Sequence, residues 1–343
     1  MKIIQVIDFL NVGGAERVCV SLCNSLCNAG HKVELLLLCG NGALNNSLEV
    51  DLPIHQLKRK RKFSLRSLYR CAKIVQRFDV VHVHMRHNYR YVKLVKTLFL
   101  LQVKVILHDH YGDIDRDISV PFGLKLFFKP SYYIGVSESL TNWGEHQLGV
   151  STSRVFLLTN SISKRGVKQG KEKKGFVLVG NIKPIKNQLF AIELMSRIDT
   201  TLTIYGAIQD ERYYRELLET IKKLDLEHKI HFIHDCIAIQ DKLPEYEFGL
   251  QTAIAESGPM VLIEYLAQNL PFLGYRTGQV ALDIEKKQPS LIIDNFELDC
   301  WEERIHQNLK INAENLKRLY EILFNEKKYL KRCLLIYKRV LEL

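Results

Sequence analysis

Phe176-Val177-Leu178-Val179-Gly180-Asn181-Ile182-Lys183-Pro184-Ile185-Lys186-Asn187 is a continuous apolar run that stops at a glycine and passes through a basic turn. A strand apolar at every position is covered on both faces, as in a parallel sheet flanked by helices. A helix near Gln188–Arg197 follows it. The stretch lies mid-chain, after the polar, basic, glycine-punctuated segment Ser161–Gly175, which reads as a linker. The same order stands at the start of the chain. Ile3–Ile7 is a first strand, and Asn11-Val12-Gly13-Gly14-Ala15-Glu16-Arg17 leads from it into a helix. The pattern therefore begins twice, and the 343 residues suit two domains of roughly 150 each.

Further strands read at Val33–Leu38, Val80–Val83, Lys104–Leu107, Tyr132–Val136 and Val155–Leu158, with helices near Ala15–Asn28, Ser64–Arg77, Tyr89–Phe99 and Ser139–Leu148. After the linker come a strand at Leu202–Tyr205, a helix at Asp210–Leu224, and strands at Lys229–Ile233 and Phe248–Gln251. This alternation predicts an α/β protein with two doubly wound parallel sheets and no short-period repeat. Past Ala313 the chain reads as helical, with Leu316, Leu319, Leu323, Leu330, Leu334 and Leu341 as an apolar stripe.

Composition narrows the class. No apolar run approaches the roughly 18 residues of a membrane span. The first residues read as a strand rather than a signal peptide, with no small-residue cleavage site. Eight cysteines form no Cys-x-x-Cys pair, and scattered free thiols suit a reducing cytoplasm. Cys19, Cys23 and Cys27 at helical spacing read as the core face of a helix rather than a metal stripe. A net charge of +11 calls for an anionic partner. The densest basic patches are Lys58-Arg59-Lys60-Arg61-Lys62 and Lys171-Glu172-Lys173-Lys174. Without interleaved aromatics or a nucleic-acid motif, they favour an anionic membrane surface over nucleic acid, with a solvated loop as the plain alternative.

Four sites carry candidate chemistry. Gly13 and Gly14 let a ligand approach the backbone at a helix N-terminus, and the loop lacks the glycine spacing of nicotinamide enzymes. Lys186 follows the first strand of the second domain, where a lysine can hold a diphosphate. His82, His84, His87, His108 and His110 crowd the first domain; His108-Asp109-His110 ends a strand and suits substrate hydroxyls or phosphate better than a metal ion. Glu256-Ser257-Gly258-Pro259-Met260-Val261-Leu262-Ile263-Glu264 sets two carboxylates around a helix start. Gly258 fits the flanking position, Pro259 the first helical position, and the Met260 and Val261 N–H groups face an anion.

Together these elements resemble the family-4 retaining glycosyltransferases, bacterial polysaccharide-type enzymes of GT-B fold, over nearly the whole chain. The carriers are Glu256 and Glu264, eight positions apart, the Gly13–Arg17 loop, Gly180 with Lys186-Asn187, and Asn160-Ser161 at the end of the first domain. The resemblance implies two Rossmann-like domains facing a central cleft: an acceptor domain at 1–162, a nucleotide-sugar donor domain at 163–326, and a helix over 327–343 packing back on the first. It implies that Glu256 meets the sugar hydroxyls and Glu264 the ribose, and that Ser257, Gly258, Met260, Val261, Gly13 and Gly14 line sugar and diphosphate. Lys186 would neutralise the leaving diphosphate without metal or other cofactor, and His108 (or His110) would contact the sugar. The family places arginine where this chain has Asn181; Lys183 and Arg17 are the candidates to compensate. The expected activity is retaining, hexosyl-type transfer from a nucleotide-diphosphate sugar to a glycan or lipid-linked acceptor in cell-surface polysaccharide synthesis, in the cytoplasm at the membrane face. The other classes are a catalytically silent GT-B protein that binds a nucleotide sugar or a partner transferase, which Asn181 supports, and a nucleic-acid binder, which charge alone supports.

Overall fold

The computed structural model describes residues 1–60, 64–166 and 173–343. Arg61 and Lys62 of one basic patch, Lys171 and Glu172 of the other, and part of the linker thus lie outside the described residues. The chain divides into two compact units, Met1–Ile162 with Glu326–Leu343, and Ser163–Asn325.

The first unit contains β1 (Lys2–Ile7), β2 (Lys32–Leu37), β3 (Ile54–Gln56), β4 (Val80–His84), β5 (Lys104–Asp109), β6 (Tyr132–Gly135) and β7 (Val155–Leu157). These pair in parallel in the order β3-β2-β1-β4-β5-β6-β7. The helices α1 (Gly14–Asn28), α2 (Leu65–Val75), α3 (Arg86–Leu98), α4 (Phe122–Leu126) and α5 (Glu138–His146) connect them. Alternate strand residues point to opposite faces. Ile4, Val6, Val81, Val83, Val105 and Leu107 share a core with Leu68, Val75, Val92 and Trp143 from three of the helices. The intervening positions hold Gln5, His82, His84 and His108, all buried, with Gln5 in register with His82 and His84 with His108. Period two thus sets a row of polar side chains on one face.

In the second unit, β8 (Lys174–Val179), β9 (Leu202–Tyr205), β10 (Ile230–Ile233), β11 (Tyr246–Gln251), β12 (Phe272–Tyr275) and β13 (Ile292–Ile293) are also parallel, in the order β10-β9-β8-β11-β12-β13. They alternate with α6 (Gln188–Met195), α7 (Glu211–Lys223), α8 (Met260–Ala267), α9 (Gly278–Glu285), α10 (Leu298–Asn308) and α11 (Ala313–Leu323). Phe176, Leu178, Phe248, Leu250 and Trp301 anchor the core. In each unit the strand order reverses at the first strand, β1 or β8, which opens a crevice at the carboxyl ends.

The expected leucine stripe of the tail is corrected. The chain breaks between α11 and α12 (Glu326–Glu342), and the break resets the helical phase. Leu316 and Leu319 are buried in the second unit, whereas α12 belongs to the first unit and buries Tyr329, Cys333, Ile336, Tyr337 and Val340. Leu335 and Leu341 face outward.

Candidate functional site

In the second unit the reversal of strand order makes β8 and β11 neighbours, so the loops leaving them meet. The Ile254 N–H donates to the Ile185 carbonyl at 3.0 Å, and Thr252 Oγ1 donates to the Lys186 carbonyl at 3.1 Å. Gln188 Nε2 donates to the carbonyls of Gly180 at 3.3 Å and Asn181 at 3.1 Å, which fixes the turn from its other side. Asn187 closes the turn in the left-handed region at φ 51° and leads into α6. The outcome is an ion pair between Lys186 Nζ and the Glu256 carboxylate, both partly buried. Burial, reinforced by the Lys186 ammonium, lowers the pKa of Lys183. Lys183 therefore stands within the electrostatic reach of Lys186.

Glu256 sits on a loop held by the turn after β12. Its N–H donates to Thr277 Oγ1 at 3.0 Å, and the Gln279 N–H donates to the Ser257 carbonyl at 2.9 Å. Between them Gly278 has φ +73°, and a Cβ there would fall 2.6 Å from the Glu256 carbonyl oxygen. Only glycine fits both the conformation and the space. Ser257 and Gly258 are buried beneath this turn. The helix begins one residue later than the sequence suggests: Pro259 is the flanking residue and Met260 the first of α8. A residue with φ fixed near −65° and no N–H is tolerated at either position. The first-turn N–H groups of Met260 and Val261 have no intrahelical acceptor. Glu264 is 3% exposed, one turn further along the buried face of α8.

In the first unit Gly13 is the flanking residue of α1, and Gly14 its first residue. The Glu16 carboxylate folds back over Gly13, and burial raises its pKa. Beside this loop, Asp8 faces His87 Nε2 at 3.0 Å and accepts from Asn88.

The histidines form two columns. His82 Nε2 lies 2.9 Å from His108 Nδ1, and His84 Nδ1 lies 3.2 Å from His110 Nε2. Below them, His82 Nδ1 is 2.6 Å from Tyr337 Oη, and His84 Nε2 is 2.9 Å from Gln5 Oε1. Burial drives the pKa of His82 and His110 down to about 3 and that of His84 and His108 far below the usual histidine range. All four rings are neutral at physiological pH. One nitrogen from each of His82, His84 and His108 falls within 4.8 Å of the others, close enough to converge on one ion. Both nitrogens of His82 and His84 are already engaged, however, so a cation would have to break those contacts. His108 is fully buried, and His110 is partly exposed.

The surroundings brace this group. Asp109 accepts from Arg86 Nε at 2.6 Å and Tyr133 Oη at 2.7 Å, and the Arg86 guanidinium stacks 3.9 Å from the Trp143 ring centroid. Met85, just past β4, has φ +71° although it is not glycine, and its N–H donates to the His108 carbonyl at 3.0 Å. Such strain persists only where the surroundings hold it.

The sequence singles out Lys186, Glu256 and His108 but not Thr277, Gly278, Gln279, Gln5 or Tyr337. Gln5 had a signal, a lone amide in an apolar strand. Gly278 had one too, as the glycine following a short apolar run.

Residues 12–164 match the family model described as Glycosyltransferase Family 4, and residues 160–322 match that described as Glycosyl transferases group 1. N-acetyl-alpha-D-glucosaminyl L-malate synthase of Bacillus anthracis is 23% identical, over 79% of this chain and 77% of its own. Among solved structures, Anabaena HepE in complex with UDP and glucose superposes with a TM-score of 0.80 at 16% identity, covering 97% of this chain and 98% of that one. A glycosyltransferase of Rickettsia africae gives 0.79 at 15% identity, covering 99% and 98%.

Proposed function

The chain belongs to the glycosyltransferases of GT-B fold, matching family 4 in its first half and group 1 in its second, and from this we propose that it transfers a hexose from a nucleoside-diphosphate sugar to a glycan or lipid-linked acceptor with retention at the anomeric carbon. The observation that carries the reading is the Lys186–Glu256 pair, formed between the turn before α6 and the loop before α8. It sets a cation beside a carboxylate four residues before the first turn of a helix, groups suited to a diphosphate joined to a sugar. The binding of UDP and glucose by HepE supports a nucleotide sugar as the donor.

In this reading Lys186, with Lys183 in the place of the missing arginine, takes the charge of the departing diphosphate, so no metal ion is needed. Glu256 and His108 hold sugar hydroxyls, and Glu264 the ribose. The bond from C1 to the β-phosphate oxygen breaks with its electron pair going to that oxygen. The acceptor hydroxyl bonds to C1 on the same face and passes its proton to the departing phosphate. Stabilising the leaving group and positioning the acceptor supply the rate. The acceptor belongs to cell-surface polysaccharide synthesis at the cytoplasmic membrane face. Ile118, Phe122, Leu126 and Phe127, all exposed beside Lys125 and Lys129, support an anionic membrane as the partner surface.

A panel of nucleotide sugars, watched for slow donor hydrolysis, tests the enzymatic reading. One donor is expected to be hydrolysed, and Lys186→Ala to slow it by about a hundredfold or more, on the scale of losing one transition-state donor. If no donor is bound or hydrolysed and Glu264→Ala leaves binding unchanged, the enzymatic reading fails.

A further inference from the structure

Counting protons gives the two histidine columns a direction. Gln5 Oε1 can only accept, so His84, 2.9 Å away, carries its proton on Nε2. A neutral imidazole has one N–H, which leaves His84 Nδ1 bare to accept from His110 Nε2 at 3.2 Å. On the other side, Gln5 Nε2 donates to Tyr337 Oη at 3.1 Å. Tyr337 then has one O–H to give. His82 Nδ1 lies 2.6 Å away and is a far better acceptor than the neighbouring Cys333 thiol. His82 therefore carries its proton on Nε2 and donates to His108 Nδ1 at 2.9 Å. The chain runs unbranched from His110 through His84, Gln5, Tyr337 and His82 to His108. It leaves a bare Nδ1 on His110 and an N–H on His108 Nε2, a buried atom with no acceptor among the described residues.

We propose that Tyr337 and Gln5 are positioning residues that set the histidine tautomers, so that His108 offers a donor and His110 an acceptor to a sugar hydroxyl. The two rings stand 4.2 Å apart between centroids. A hydroxyl both gives and takes one hydrogen bond, which such a pair answers. The sugar assignment rests on the proposed function; the tautomer assignment does not. Tyr337 lies 255 residues from His82, so the C-terminal helix has a task in the site besides packing.

The test is NMR of the full chain labelled with nitrogen-15 histidine at neutral pH, with resonances assigned through His108→Gln and His110→Gln. The expected spectrum has Nε2 protonated and Nδ1 bare on His82, His84, His108 and His110. Gln5→Glu accepts only, so it turns the tyrosine O–H toward itself and shifts His108 Nε2 into the bare-nitrogen range. Tyr337→Phe, which keeps the ring that α12 buries, removes the proton that fixes His82 and moves His108 Nε2 to the average of two tautomers. Opposite tautomers in the wild-type chain, a stoichiometric zinc ion with metal-bound shifts, or an unmoved His108 in both folded variants each overturns the proposal. Donor KM is expected to rise about tenfold in Tyr337→Phe with a smaller change in kcat, the scale of one lost hydrogen bond. Tautomers that switch while donor KM stays constant refute the sugar assignment of this face and leave the tautomer-setting role standing.

Discussion

Lys186 and Glu256 neutralise each other, so a phosphate that takes the lysine competes with the carboxylate. In the proposed function the displaced Glu256 would then accept from the hydroxyls of the sugar that arrives with the phosphate. Such an exchange would keep the lysine paired with an anion and the carboxylate hydrogen-bonded, and would couple recognition of the two halves of the donor. In the same reading Asn181, two residues past β8, would leave the diphosphate one cation short of the family pattern. Asn181→Arg is expected to tighten nucleoside-diphosphate binding by tenfold to a hundredfold, since a hydrogen bond to a charged group contributes about 1.5–3 kcal/mol. Titration calorimetry reads this directly. An unchanged constant would show that Lys183 already fills the role.

At the scale of elements, the loop bearing Glu256 is only as well placed as the turn after β12 that supports it. Gly278→Ala adds a methyl where the Glu256 carbonyl stands and strains a left-handed residue by about 1–2 kcal/mol. The expected result is a lower melting temperature together with weaker nucleotide binding. A loss of stability with full binding would show that the loop keeps its shape without the turn. This support illustrates what sequence reveals and what it hides. The doubly wound class is legible because strands such as Phe176–Val179 are apolar at every position, which a sheet open to water on one side does not tolerate. β3 is not legible because Ile54–Gln56 is three residues long and two of them are polar, nor is β12, because Phe272–Tyr275 carries a glycine at its third position. Lys186 and Glu256 were each readable as residues following strands. Their contact was not, because it depends on β11 pairing with β8 rather than with the strand before it in sequence. Tyr337 was invisible for the same reason: nothing local to α12 tells that its hydroxyl meets β4.

At the scale of the molecule, 49 basic against 38 acidic residues give a charge of +11, and in the two stretches the sequence singles out Lys58 and Lys60 are exposed while Arg59 and Lys174 are engaged. Arg59 lies over the Tyr91 ring at 4.4 Å, and Lys174 pairs with Glu245 at 2.9 Å. The exposed apolar group around α4, with Phe122 at 75% and Phe127 at 67%, offers a second kind of attraction. The two forces separate by salt, since charge attraction is screened over about 8 Å at physiological ionic strength while apolar insertion is not weakened by it. Flotation with phosphatidylglycerol vesicles is therefore expected to fall between low and high salt without vanishing. Neutralising residues 58–62 should remove part of the low-salt component alone. The double change Phe122→Ser with Phe127→Ser should abolish what survives at high salt. Complete loss of wild-type flotation at high salt would mean that α4 does not insert and that charge alone draws the protein to the surface. No flotation at any salt would remove the membrane from the proposed function and leave a soluble glycan as the acceptor to pursue.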